Sequence, residues 1–289
     1  MKQLKLILLI SLLTVGLHSC SDSDSETPID QPQLDATIYT ELLDVPYGDA
    51  DRQKMDIYLP ANRDEQTKVI FLIHGGAWTS GQKEDMNEIR DLIQAELPDL
   101  AIININYRLA SIGNPPFPMQ IDDISAAVDF LKANSFEYVV SEDIGLLGTS
   151  AGGQLALLWS YAHDVDNDVE MVCSIVGPTN FTDPAYTENN TVNAFALLTL
   201  FGIDTSTDYL ESISPFHRVS VSSPPTVLFY GGQDELIPTS QGVDLENRLT
   251  ELGVTHSFTL YPNEGHGWEG EALEDTWTTL KSFIQVHLE

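Results

Sequence analysis

The chain is poor in cysteine and in positive charge, and it has no apolar run long enough to cross a bilayer. Only Cys20 and Cys173 occur in 289 residues, which excludes a scaffold stapled by several disulfides. Cys173 falls in the apolar run 171–176, where a thiol acts as a small buried hydrophobe. Lysine and arginine total 13 against 44 aspartates and glutamates, for a formal net charge of −31. Such a field repels nucleic acid and anionic surfaces and favours solubility, so no nucleic-acid partner is expected. A metal site is also lacking. Asp164-Val165-Asp166-Asn167-Asp168 imitates the start of an EF-hand, but Val169 stands where the loop needs glycine and Ile175 where it needs glutamate. No repeat is visible. What is present is 42% hydrophobic residues, ample for a buried core.

The N-terminus reads as an export signal. Lys2 and Lys5 flank the apolar residues 6–17, a segment with the length of a signal-peptide core and too short to span a membrane. Leu17-His18-Ser19-Cys20 resembles a bacterial lipobox, in which cleavage precedes the cysteine and its sulfur and amine are acylated. The expected organisation is a signal peptide over 1–19, an acidic tether over 20–36 and a catalytic domain over 37–289. The tether begins Ser21-Asp22-Ser23-Asp24 and carries Pro28 and Pro32, with too little apolar surface to offset its ordering entropy. Membrane contact is then through a lipid on Cys20 alone, with the protein exported to the periplasm or cell surface.

From residue 37 the pattern alternates. Near-continuous apolar runs at 69–73, 101–105, 144–147, 171–176 and 226–230 suit parallel strands covered on both faces. Between them, Ile121, Ile124, Val128 and Leu131 recur at helical spacing, and a helix from Val243 to Leu252 ends at Gly253. Residues 41–47 and 55–59 form a hairpin about Gly48-Asp49. The implied fold is α/β, a mostly parallel twisted sheet with helices on both faces. Residues 181–217 interrupt the alternation; a connection of that length is usually functional, and it is the candidate lid, with a helix-like piece at 192–201.

Four elements carry the chemistry. Gly148-Thr149-Ser150-Ala151-Gly152 follows a strand and precedes a helix, the context a nucleophile elbow requires, and makes Ser150 the candidate nucleophile. His74-Gly75-Gly76-Ala77-Trp78 ends another strand. Its side-chain-free amides at Gly75 and Gly76, with that of Ala151 after the serine, are candidate oxyanion donors. Asp234, at the carboxyl end of the strand 226–230, is the candidate acid, ahead of its neighbour Glu235. His266, in the loop Gly265-His266-Gly267-Trp268, is the candidate base, and Trp78 and Trp268 beside these loops are candidate pocket walls. Nucleophile, acid and base occur in the order that the α/β-hydrolase elbow motif uses.

These residues, with Asn106-Tyr107-Arg108-Leu109 and Phe117-Pro118, resemble the hormone-sensitive-lipase-like and feruloyl- or acetyl-esterase-like branch of the α/β-hydrolases over residues 41–289. The resemblance implies that fold and serine hydrolysis of carboxylic esters without a cofactor, with small-molecule substrates or acetyl and feruloyl groups on polysaccharides. Thr149 stands where many relatives carry Asp or His. Amidase, formamidase or peptidase chemistry on the same groups is the alternative, as is a catalytically inactive binding module.

Overall fold

A computed structural model describes residues 33–187 and 199–288. The signal peptide, Cys20, most of the acidic tether and most of the piece 192–201 lie outside the described residues.

Eight strands form one sheet in the order β1-β2-β4-β3-β5-β6-β7-β8. β1 (Thr40–Pro46) and β2 (Lys54–Leu59) make the antiparallel hairpin, and β2 is also antiparallel to β4 (Ala101–Ile105). The remaining pairs, through β3 (Val69–Ile73), β5 (Ile144–Thr149), β6 (Val169–Ile175), β7 (Thr226–Gly231) and β8 (His256–Tyr261), are parallel. The long helices are α1 (Asn87–Glu96), α2 (Met119–Tyr138), α3 (Ala151–Ala162), α4 (Thr239–Leu252) and α5 (Glu271–His287).

Strand side chains alternate between the two faces, and the continuous apolar runs fill both. Phe71, Ile103, Leu146, Val172 and Leu228 share one core with Ile124 and Val128 of α2, Leu155 of α3 and Leu245 of α4. Their neighbours Ile70, Leu72, Ile102, Leu147 and Val227 share the other with Ile93 of α1 and Leu280 and Ile284 of α5. Each fully buried aliphatic or aromatic side chain contributes roughly 1.5–3 kcal/mol relative to exposure. Helix α4 stops at Gly253, whose φ of 70° places it in the left-handed region that glycine enters without strain.

The candidate lid is anchored at both described ends. The Phe181 amide donates to Ser214 Oγ at 2.9 Å, and Phe181, Tyr186, Phe201, Ile203, Leu210 and Ile213 are all buried in the core shared with α2 and α3. The acidic loop after α3 is also satisfied internally. The Lys132 ammonium pairs with Asp166 at 2.6 Å and Asp168 at 2.7 Å, and Asp164 accepts the amides of Asp168 and Val169.

Candidate active site

Strand β5 turns into α3 at Ser150, whose φ of 53° and ψ of −121° lie in a sparsely populated region. A non-glycine residue held there costs about 1–3 kcal/mol, so its surroundings must impose the conformation. Two glycines allow the turn to close. A Cβ on Gly148 would lie 2.1 Å from the Gly152 oxygen, and one on Gly152 2.2 Å from the Ile73 oxygen. The Ser150 amide is tied to the Ile175 oxygen at 2.8 Å, while the Ser150 oxygen accepts the Gln154 amide at 3.1 Å as α3 begins. The serine is thereby fixed at a helix N-terminus, where the dipole favours negative charge.

The acid and the imidazole come from loops after β7 and β8 that are joined backbone to backbone. Gly232 N donates to Tyr261 O at 2.8 Å and Gln233 N to Glu264 O at 2.8 Å. Across this seam His266 Nδ1 lies 2.7 Å from Asp234 Oδ2, and Nε2 lies 2.9 Å from Ser150 Oγ. The other carboxylate oxygen of Asp234 accepts the amides of Leu236 and Ile237 at 2.8 and 3.0 Å. An acceptor-only carboxylate at Nδ1 selects the Nδ1–H tautomer, which leaves Nε2 free to accept the serine proton. Glu235 points to solvent.

His74, Gly75 and Gly76 follow β3. His74 is fully buried and stacks on Tyr107 with centroids 4.1 Å apart. Its Nδ1 lies 2.6 Å from the Gly75 oxygen and its Nε2 lies 3.4 Å from an Arg52 nitrogen. Burial above all, and then the Arg52 charge, push its pKa down to about 4, so it is a neutral structural group. The Tyr107 hydroxyl donates to the His74 oxygen at 2.8 Å. Among the described residues, the amides of Gly75, Gly76 and Ala77 donate to no protein group. Ala151 begins α3, so its amide has no partner within the helix either.

These groups border a cleft of about 580 Å³ lined by Gly76, Ala77, Ser150, His266 and, on its apolar side, Ile89, Val176, Trp268 and Leu273. Asp85 and Glu88 add carboxylates at its edge. Thr149 also faces it, with its hydroxyl 3.6 Å from Met86 Sδ. The two tryptophans separate. Trp268 is a wall, pinned by its indole N–H on Thr276 Oγ1 at 2.8 Å and packed at a tilt against Tyr261. The expectation for Trp78 is corrected: it is 2% exposed, bonds Gln154 at 3.0 Å and packs against Phe117 and Phe181 in the core. Gly76, Ala77 and Trp78 all have positive φ, so the chain reverses there and drives the indole inward. Among the described residues of 181–217, none lines this cleft. Ala77 and the buried Gln120 and Gln154 escaped the sequence reading. A polar residue inside the apolar run of α3 is the one signal that marks Gln154.

A mostly parallel sheet with a serine at a strand–helix elbow, and an imidazole and carboxylate in the loops after later strands, defines an α/β-hydrolase. The BD-FAE family model matches residues 55–249, and the chain belongs to this esterase family of that fold. Among curated proteins it is similar to "Esterase LipC" of Mycobacterium tuberculosis, 26% identical over 86% of this chain and 66% of that protein. It is similar also to "Probable carboxylic ester hydrolase LipM" of the same organism, 26% identical over 72% of this chain and 52% of that one. The chain thus spans between about half and two thirds of these relatives. A truncated carbohydrate esterase from gut microbiota superposes with a TM-score of 0.71 at 22% identity, over 88% of this chain and 100% of that one. A bifunctional GH43-CE protein of Bacteroides eggerthii superposes equally well, at 24% identity over 84% of this chain and 35% of that one.

Proposed function

We propose that this protein is a serine carboxylic-ester hydrolase. The observation that carries the reading is the continuous hydrogen-bonded path from Asp234 through His266 to Ser150 at the edge of an open cleft. His266 takes the Ser150 proton as the hydroxyl attacks the ester carbonyl, and Asp234 holds the tautomer and stabilises the imidazolium. The oxyanion is received by amides of the Gly75–Gly76 turn and of Ala151. His266 returns the proton to the leaving alcohol, then activates the water that hydrolyses the acyl-enzyme. Every step uses protein groups and water.

The proposed substrates are acetyl or feruloyl esters, on small alcohols or on polysaccharides. The likeness to the carbohydrate esterases and the apolar wall that Trp268 gives the cleft support that class. A formamidase reading rests on the 26% identity to zebrafish (Danio rerio) "Kynurenine formamidase" over 118 residues. A panel of p-nitrophenyl acetate, methyl ferulate, acetylated xylan and formylkynurenine separates the two. Turnover of the esters that disappears in Ser150→Ala supports esterase action; turnover confined to formylkynurenine overturns it.

We propose further that the protein is exported and acylated on Cys20, on the strength of the lipobox-like Leu17-His18-Ser19-Cys20. Stable anchoring takes more than one acyl chain. Mass spectrometry of the mature N-terminus should find a lipid-modified Cys20, and an unmodified terminus at any other residue ends this reading.

A further inference from the structure

The turn that presents the oxyanion amides is held from outside itself. Ala77 and Trp78 have φ of 49° and 63°, two consecutive left-handed residues that are not glycine. Such a pair persists only where neighbouring groups over-determine it. The Gly76 oxygen accepts the amides of Thr79 and Ser80 at 3.0 Å, closing the turn locally. On its β3 side His74 Nδ1 and the Tyr107 hydroxyl lie 2.6 and 3.3 Å from the Gly75 oxygen, and on the far side three anchors converge on Trp78. Its oxygen accepts the Ala110 amide at 2.8 Å and Gln120 Nε2 at 2.7 Å. Its indole N–H donates to Gln154 Oε1 at 3.0 Å.

Gln154 has a second commitment. Its Nε2 donates to the Ile213 oxygen at 3.0 Å, and its backbone amide donates to the Ser150 oxygen at 3.1 Å. This one side chain, fully buried, therefore bonds the amide-bearing turn and the end of the 181–217 insertion, from a position four residues after the serine. Nothing in helix formation calls for a buried amide there, because every other side chain from Ala151 to Trp159 is apolar or absent. A buried primary amide persists where both its ends find partners.

We propose that Gln154 is a positioning residue that, through Trp78, sets the Gly75–Gly76 amides relative to Ser150, its own amide being held at the other end by the Ile213 oxygen. The proposal rests on the serine-hydrolase reading above. Because the amides act on charge that appears only in the tetrahedral state, loosening them lowers kcat and leaves ground-state binding alone.

The test compares Gln154→Leu, Trp78→Phe and the double variant with wild type. For each, kcat and KM for p-nitrophenyl acetate, inhibition by phenylboronic acid and Tm are measured. The boronate forms a tetrahedral adduct on a serine and so reports the oxyanion site apart from turnover. Gln154→Leu should lower kcat about 10- to 100-fold, less than the loss on deleting an oxyanion donor itself. KM should stay within about twofold and boronate affinity should fall by the same factor as kcat. Trp78→Phe keeps an aromatic side chain but removes the N–H together with the five-membered ring, so it should show the same loss of kcat and boronate affinity, with a larger fall in Tm, if Gln154→Leu does not fold. In kcat the double variant should be little worse than Gln154→Leu alone, because the Trp78–Gln154 bond that both changes break is already lost in it. Unchanged kcat, a boronate affinity that does not follow kcat, or losses that multiply in the double variant would overturn the proposal. Activity that survives Ser150→Ala would instead overturn the hydrolase reading and leave the role of Gln154 in holding the turn to be judged on Tm.

Discussion

Asp234 and His266 meet at 2.7 Å with the carboxylate fully buried, while Glu235, one residue on, faces solvent. The backbone seam between the two loops decides which of the adjacent acids reaches the imidazole. Asp234→Asn should lower kcat by about 10⁴ through the wrong His266 tautomer. Glu235→Gln should stay within about twofold, as surface substitutions away from special features do. Steady-state ester kinetics on both variants would reassign the acid if the larger loss fell on Glu235.

Trp268 is rigid because Thr276 of α5 accepts its indole N–H and in turn bonds the Tyr261 hydroxyl. Thr276→Val preserves the volume of the side chain and removes the acceptor. It should raise KM several-fold for bulky aromatic acyl groups and less for acetyl, with a stability loss of about 1 kcal/mol from the lost, partly buried hydrogen bond. Identical KM shifts for acetyl and feruloyl esters would remove Trp268 from substrate selection.

His74 makes stability depend on pH. Its folded pKa is pushed down to about 4 by burial, from an ordinary value of 6.5. Above pH 6.5 neither state binds the proton and the contribution is constant. As pH falls towards 4, the unfolded chain takes up a proton that the folded chain refuses. Unfolding free energy therefore drops across this window, by about 3 kcal/mol in all. Thermal melts from pH 7 to pH 4.5 should show a steeper decline for wild type than for His74→Asn. Parallel declines would place the acid sensitivity elsewhere.

Lys132 occupies the space between Asp166 and Asp168 that a cation would otherwise neutralise. Addition of EDTA or of millimolar calcium should leave Tm and ester turnover unchanged. Lys132→Met should lower stability by about 1 kcal/mol or less, since these pairs are partly solvated. A rise in wild-type Tm with calcium would show a site that the ammonium does not fill.

The strands, the hairpin and the elbow were legible because each is encoded locally: continuous apolar runs, a turn dipeptide, and glycines where the backbone closes on itself. The Ser150, Asp234 and His266 loops were legible because each follows a strand, and parallel strands bring their carboxyl ends together. Trp78 was not. Nearness in sequence to Gly76 says nothing about direction, and three positive φ values in succession send the indole into the core. Gln120 and Gln154 were hidden for a related reason, since their partners lie 42 and 76 positions away.

Leu34 bonds the oxygen of Glu137, at the end of α2, and Arg63 bonds the oxygen of Ile38. Both contacts lie where the parallel strands begin, whereas Ser150, Asp234 and His266 lie where they finish. The polypeptide therefore enters the domain at the pole opposite the cleft. Attachment to a sensor chip through residues before Leu34 therefore leaves the cleft uncovered. The N-terminus is accordingly the preferred end for attachment to a support.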